Sequence, residues 1–305
     1  MRLSMKEHSA AAEFLKTQAR PLEKALYEYL FEDASAEPAV FALSAYQNPD
    51  GGFGNALEPD IRLPDSSVIA TTIAFQNFRT LALSSDHPMV AAAAQWLKSQ
   101  YLPDEKRWRI MPANVDDAPH APWWQPGGDL WNSRVNPTAE ILGYLYEYPT
   151  LFDVPMRDEL TAQLAAYLDA HDDSMEMHDL LCFVALIENP GVPEAVKLRF
   201  LPKLKRVADK TVERSPEAWP NYTIPPLAII HAPDSPFIEQ FKNELPQNFE
   251  FMLGWRSDDG AWHPNWQWGD DKKLWAQVSR EWAGVQTLNN LRKLRAFGMI
   301  AGVKA

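Results

Sequence analysis

Glu58-Pro59-Asp60 sets two carboxylates one residue apart. Acids this close perturb one another's ionisation, so the pair suits general acid–base work or a cation; helix-entry and turn chemistry is the competing use. Pro119-His120-Ala121-Pro122-Trp123-Trp124 holds a histidine between two prolines and beside two indoles. Imidazole exchanges protons near neutral pH, and indole faces attract cations and stack on sugars. Just upstream, Asp116 and Asp117 lie in a proline-bracketed loop, where acidic pairs are commonly solvated. Trp262-His263-Pro264-Asn265-Trp266-Gln267-Trp268, with Asn221-Tyr222 in a similar proline-rich stretch, suits a wall around an apolar or cationic ligand, or a sugar platform. Trp275 and Trp282, seven apart, share a helix face that serves either core or pocket. Asn136 and Glu140 also share a face, and Glu176 and His178 are further pocket candidates. The catalytic candidates are therefore Glu58, Asp60, Asp116 and His120. The substrate-binding candidates are Trp123, Trp124, Asn136, Glu140, Glu176, His178, Tyr222, Trp262 and Trp266.

Helices must position these residues. Apolar periodicity predicts helices over 9–19 and 21–32, the second opened by Pro21, and over 36–47. Ser66 and Ser67 can cap a helix reaching about Leu83. Further helices are expected over 91–101, from Asn136-Pro137 to about Tyr148, and over 155–170, 174–188, 193–213, 235–253 and 275–297. Period-two alternation is scarce, so no sheet is expected. The 25 prolines fall mainly between these segments and mark their ends. Residues 102–135, 214–226 and 256–272 read as irregular. The first of these holds His120, Trp123, Trp124 and Trp131, rings that require burial and argue against disorder.

One motif recurs. Tyr46-Gln47-Asn48-Pro49-Asp50-Gly51-Gly52-Phe53 aligns without a gap on Trp255-Arg256-Ser257-Asp258-Asp259-Gly260-Ala261-Trp262. A weaker copy is Trp96-Leu97-Lys98-Ser99-Gln100, followed by Asp104 and Trp108. Each follows an apolar helix. Asp-Gly supplies a turn that uses glycine's access to positive φ, and the next aromatic is expected to fold back onto the helix end. A polar side chain in the Gln47 slot can satisfy a backbone group at a helix terminus.

The Gln-x-x-Asp-Gly-Gly-Phe pattern of residues 47–53 resembles the repeat that ends outer helices in squalene and terpenoid cyclases, and is similar to turns of protein prenyltransferase β subunits. The stretch from Leu22 to Leu81 also resembles short bacterial prenyltransferase-like proteins. The motif covers a small part of the chain, while helix spacing extends the likeness to nearly all of it. The resemblance implies an all-α fold: one (α/α) toroid over residues 1–305, of about six helical hairpins around a central pocket. Asn114-Val115-Asp116-Asp117-Ala118 resembles the Asp-x-Asp-Asp-Thr-Ala acid motif of class II terpene cyclases, which would make Asp116 the proton donor and Asp117 its neighbour. Asn114 and Ala118 depart from that motif, and the second toroid that usually closes a class II site is missing. Asp172-Asp173-Ser174-Met175-Glu176 matches the magnesium-diphosphate motif of class I enzymes, but Asp173 with Glu176 also reads as a capping pair. No cofactor is expected, with magnesium entering only if Asp172, Asp173 and Glu176 form a diphosphate site. His178-Asp179-x-x-Cys182 lacks the Asp-x-Cys spacing of the prenyltransferase zinc site, and the late helix carries Trp282-Ala283-Gly284 without a histidine, so zinc is not expected.

Composition narrows the partners. A net charge of −12, with no Lys/Arg-rich stretch, speaks against nucleic acid. Cys182 is the only cysteine, which excludes an intramolecular disulfide and Cys-rich zinc sites. Hydrophobic residues make up 46% of the chain, enough for a large core, yet no window reaches the length of a membrane span. Charged residues run through Met1–His8 with no signal-peptide core, so the expected compartment is the cytoplasm. The function implied is terpenoid-cyclase or prenyltransferase-like acid–base chemistry on an isoprenoid or other small molecule. The alternatives are a carbohydrate-active enzyme (lyase or glycosidase) on the same toroid and a non-catalytic binder of a cationic small molecule.

Overall fold

The computed structural model describes residues 1–304. Among these, twelve α-helices dominate: α1 (Met5–Thr17), α2 (Pro21–Phe31), α3 (Glu37–Ser44), α4 (Val68–Thr80), α5 (Pro88–Ser99), α6 (Asp129–Asn132), α7 (Thr138–Glu147), α8 (Val154–Ala170), α9 (Met177–Glu188), α10 (Glu194–Thr211), α11 (Leu245–Gly254) and α12 (Lys272–Ala296). The chain is mostly helical, as its periodicity requires. No helix among the described residues is long and apolar enough to cross a membrane.

Capping chemistry fixes several starts. Ser4 and Glu7 form a capping box on α1, and Ser67 accepts the Ala70 N–H at the head of α4. Several segments differ from the periodicity: α1 begins at Met5 rather than residue 9, α3 ends at Ser44 rather than 47, and α6 lies in the stretch read as irregular. α9 begins at Met177 rather than 174, because Glu176 itself is the N-cap, accepting the N–H groups of His178 and Asp179. The span 235–253 divides into a short 3-10 turn at Ile238–Gln240 and α11, whose first turn tolerates Pro246. A small antiparallel pair, β1 (Tyr101–Leu102) and β2 (Arg107–Trp108), interrupts the first irregular stretch. Lys106, at φ 53°, makes its tight turn.

The chain divides into two compact units: residues 1–42 with 212–305, and residues 43–211. In the second unit α7 packs on α9, and α4 meets α7 through Phe75 stacked on Tyr144 at 4.7 Å. In the first, α1 packs on α2 and α12, with Phe14, Ala261 and Ala283 at the contact.

Each unit contains one full copy of the repeated motif, and the two copies adopt the same turn. Asn48 N–H donates to Gly52 O (2.9 Å) and Ser257 N–H to Ala261 O (2.9 Å). Gly51 N–H returns to Asn48 O and Gly260 N–H to Ser257 O. Gly52 N–H donates to Asp50 Oδ1 and Ala261 N–H to Asp259 Oδ1. Phe53 N–H finds Thr71 Oγ1 (3.1 Å), and Trp262 N–H finds Thr287 Oγ1 (3.0 Å). Gly51 and Gly260 sit at φ 94° and 90° against helix backbones: an added Cβ would lie 2.6 Å from Ala92 O or 2.5 Å from Ala10 C. Both strain and space therefore require glycine. The aromatic folds back as expected. Trp262 Nε1 donates to Met252 O in the last turn of α11 (2.6 Å), and in the weaker copy Trp108 Nε1 donates to Leu97 O in the last turn of α5 (2.7 Å). Gln47 Nε2 binds the carbonyls of Gly51 and Met89, whereas Arg256 in the same slot pairs with Glu7.

Gly51→Ala and Gly260→Ala should each cost at least about 1 kcal/mol of stability. Trp262→Phe, which keeps the ring but strands the Met252 carbonyl, should cost about 1–3 kcal/mol. Urea midpoints of the three variants check both figures.

Candidate active site

The acid pair and the histidine–tryptophan loop, some sixty positions apart in sequence, are joined in the second unit by backbone hydrogen bonds. Arg62 N–H donates to Pro119 O, and Ala121 N–H to Asp60 O, both at 2.9 Å, with Ile61 bridged to His120. Asn114 Nδ2 adds a side-chain tie to Asp65 Oδ2 at 2.8 Å. Short polar loops rarely bury carboxylates, yet Glu58 is 5% and Asp60 2% exposed. Glu58 Oε1 lies 3.4 Å from the Asp60 N–H, a weak local bond that curls the pair into one turn. Five of the sequence candidates (Glu58, Asp60, His120, Trp123 and Trp124) thus share one pair of loops.

His120 Nε2 meets Asp116 Oδ1 at 2.9 Å and its Nδ1 meets Ala121 O at 2.9 Å. Both partners are acceptors, and the two contacts fix the orientation of the ring. The Asp116 side chain remains 61% exposed, and Asp117 is exposed as well. In the following 3-10 turn, Pro122–Trp124, the two indoles separate: Trp123 faces outward while Trp124 is buried. Trp124 Nε1 has no acceptor among the described residues.

A second polar patch lies along α7 and α9 of the same unit. Glu140, on the buried face of α7, accepts Gln76 Nε2 (2.8 Å) and Tyr144 Oη (2.5 Å) on one oxygen, Oε1. Asn136 is buried one turn earlier and accepts a long contact from Cys182 Sγ at 3.5 Å. Ser133 Oγ donates to Asp179 Oδ1 at 2.7 Å and receives the Asn136 N–H. Burial pushes the Asp179 carboxyl up, against the Ser133 hydrogen bond. Burial also pushes the Cys182 thiol well up, reinforced by the charge of Glu140, and pushes up the Tyr144 phenol for the same two reasons. Glu176 behaves oppositely. Partial burial favours its neutral form, but the His178 side chain (Nδ1 to Oε1, 2.7 Å) and the α9 N–H groups outweigh that and hold its carboxyl low.

The sequence signals for this patch were partial. The four-residue spacing of Glu140 and Tyr144 is visible in the chain, but Gln76 arrives from α4 and carries no motif. Asp172 accepts the Ser174 N–H, and Asp173 pairs with Lys203 (2.7 Å) and Arg206 (3.3 Å), so the capping role falls to Glu176 alone. Among the described residues no three His, Cys, Asp or Glu side chains form a group that could hold a metal ion.

The remaining candidates belong to the first unit. Trp262 is 2% exposed and is the helix-end anchor described above. Tyr222 is exposed and meets Trp266 edge-on at 5.7 Å; Trp266 meets Trp282 edge-on at 5.2 Å. Asn265 Nδ2 clamps the two loops together through the carbonyls of Pro220 and Asn221.

The two shifted acids carry opposite pH signatures. Asp179 binds its proton more tightly in the folded chain, so stability falls as pH rises above its ordinary 3.8 through the raised folded value. Asp179→Asn should therefore gain on the parent chain between acidic and neutral pH. Glu176 stabilises the fold above its ordinary 4.5, a contribution lost as pH falls through the lowered folded value. Glu176→Gln should be the weaker protein at neutral pH and converge on the parent in acid. Urea unfolding across pH reads both, and parallel curves would contradict the assignments.

No protein-family model matches this chain, and no curated protein compared with it does.

Proposed function

We propose that the chain is a terpenoid-cyclase or prenyltransferase-like (α/α) toroid that applies carboxylic acid–base chemistry to an isoprenoid or similarly apolar small molecule. The observation that carries this reading is the backbone pairing of the Glu58–Asp60 loop with the Pro119–Trp124 loop. It joins the loop of two buried carboxyl groups to the loop that carries a histidine and two indoles. A carboxyl group screened from bulk water can pass a proton directly to a bound substrate, and indoles shield positive charge as it develops. On this reading Glu58 and Asp60 are the acid–base pair. Asp116, largely exposed, fixes His120 rather than donating the proton itself. The repeated helix-end turn supports the toroid, because it reproduces in each unit the motif that carries the family resemblance.

One observation favours the carbohydrate reading. The Trp123 indole is 37% exposed in the loop whose His120 pairs with Asp116, and an open aromatic face suits a sugar.

The test is product analysis after incubation with linear isoprenoids and their diphosphates, and in parallel with polysaccharides. Glu58→Gln with Asp60→Asn should lower isoprenoid turnover about 100-fold or more, the scale of a lost general acid, while Asp116→Asn has the smaller effect. Turnover that persists in the double variant would remove these acids from the mechanism. Turnover confined to polysaccharides would replace the isoprenoid reading with the carbohydrate one.

A further inference from the structure

The two copies of the repeated turn differ in what the second carboxylate oxygen of the aspartate meets. In each, the first carboxylate oxygen of the aspartate holds the backbone N–H two residues on. The second oxygen of Asp50 accepts the Trp96 indole N–H at 2.9 Å, a closure that leaves the carboxylate wholly structural. The second oxygen of Asp259 instead meets His263 Nε2 at 2.8 Å. His263 Nδ1 then has no hydrogen-bond partner among the described residues. A carboxylate on one imidazole nitrogen orients the ring and leaves the other nitrogen to form a hydrogen bond with a ligand.

His263 lines a cavity of about 530 Å³ in the first unit, within the range of small-molecule sites. Glu13 and Phe14 of α1 form one wall, and Trp275, Ser279 and Arg280 of α12 another. The Phe14 ring meets the imidazole edge-on at 5.9 Å. Glu13 and Arg280 are exposed at the mouth of this open cavity and Ser279 is half-buried; among the described residues their side chains have no hydrogen-bond or ion-pair partner, which leaves them available to a ligand. A negative and a positive side chain that border one cavity without pairing are matched by a molecule bearing both charges. Trp275, edge-on to Trp268 at 6.3 Å, offers an aromatic surface to that molecule's apolar part.

We propose that this cavity binds a small zwitterion of the amino-acid type, with its carboxylate on Arg280, its ammonium on Glu13 and its side chain against Trp275. His263, oriented by Asp259, offers its Nδ1 to the ligand as a hydrogen-bonding group. The proposal does not rest on the acid pair of the second unit.

The full-length protein is titrated with the proteinogenic amino acids, followed by tryptophan fluorescence and calorimetry. At least one should bind saturably, and its amide and its N-acetyl derivative, each lacking one charge, should bind about tenfold or more weakly. Arg280→Gln should abolish the discrimination against the amide, and Glu13→Gln that against the N-acetyl form. Both substitutions are made on side chains without partners, and circular dichroism confirms an unchanged fold. If no amino acid binds, or if either variant keeps the parent's discrimination, the proposal is overturned.

Discussion

An aspartate that binds the backbone N–H two residues ahead, followed by a glycine pressed against a neighbouring helix backbone, closes a helix end in each unit. Everything local follows from that contact. With no Cβ, the glycine lets the turn approach within van der Waals range of α5 in one unit and α1 in the other. The next aromatic is then driven into the core, where Phe53 and Trp262 are almost fully buried. A threonine of the following helix accepts the aromatic's N–H, so the turn is pinned to the helix it precedes as well as the one it touches. A buried N–H left unpaired would cost more than such a bond yields, which makes the threonine part of the device.

The pinned turn in the second unit begins the loop that carries Glu58 and Asp60. That loop gains a second attachment where its backbone pairs with residues 119–121. Burial of two carboxylates is expensive in water-excluding surroundings, and a loop held at both ends prevents them from swinging out to solvent. The α7–α9 patch meets the same cost differently. Glu140 is offset by an amide and a phenol, Asp179 by a serine hydroxyl, and Glu176 by a helix N-terminus and an imidazole. The amide, phenol, hydroxyl and backbone N–H groups are neutral donors, which stabilise an anion without cancelling its charge.

Divergence between the repeats shows how a structural element acquires chemistry. Asp50 is saturated by an indole and can do nothing further. Asp259 keeps the same backbone bond but spends its free oxygen on an imidazole beside a cavity. The backbone geometry is common, so the difference comes from the side chains that the neighbouring segments supply.

Helix content, most helix limits and the repeated turn were legible in the sequence, because they depend on periodicity and on residues within a few positions of one another. Asp50-Gly51 and Asp259-Gly260 dictate their turns, and Ser67 and Pro21 announce helix starts by local hydrogen bonding and ring geometry, whereas the Ser4 cap that starts α1 four residues before the expected residue 9 was missed. What each polar side chain meets was not legible. Gln76 reaches Glu140 across 64 positions, Ser133 reaches Asp179 across 46, and Arg62 meets Pro119 through backbone alone. Whether Asp116 faces water, or Trp262 anchors a helix rather than lining a wall, depends on the direction a side chain takes once helices have packed. Packing is set by many weak contacts between distant segments, and no short spacing in the chain encodes their sum.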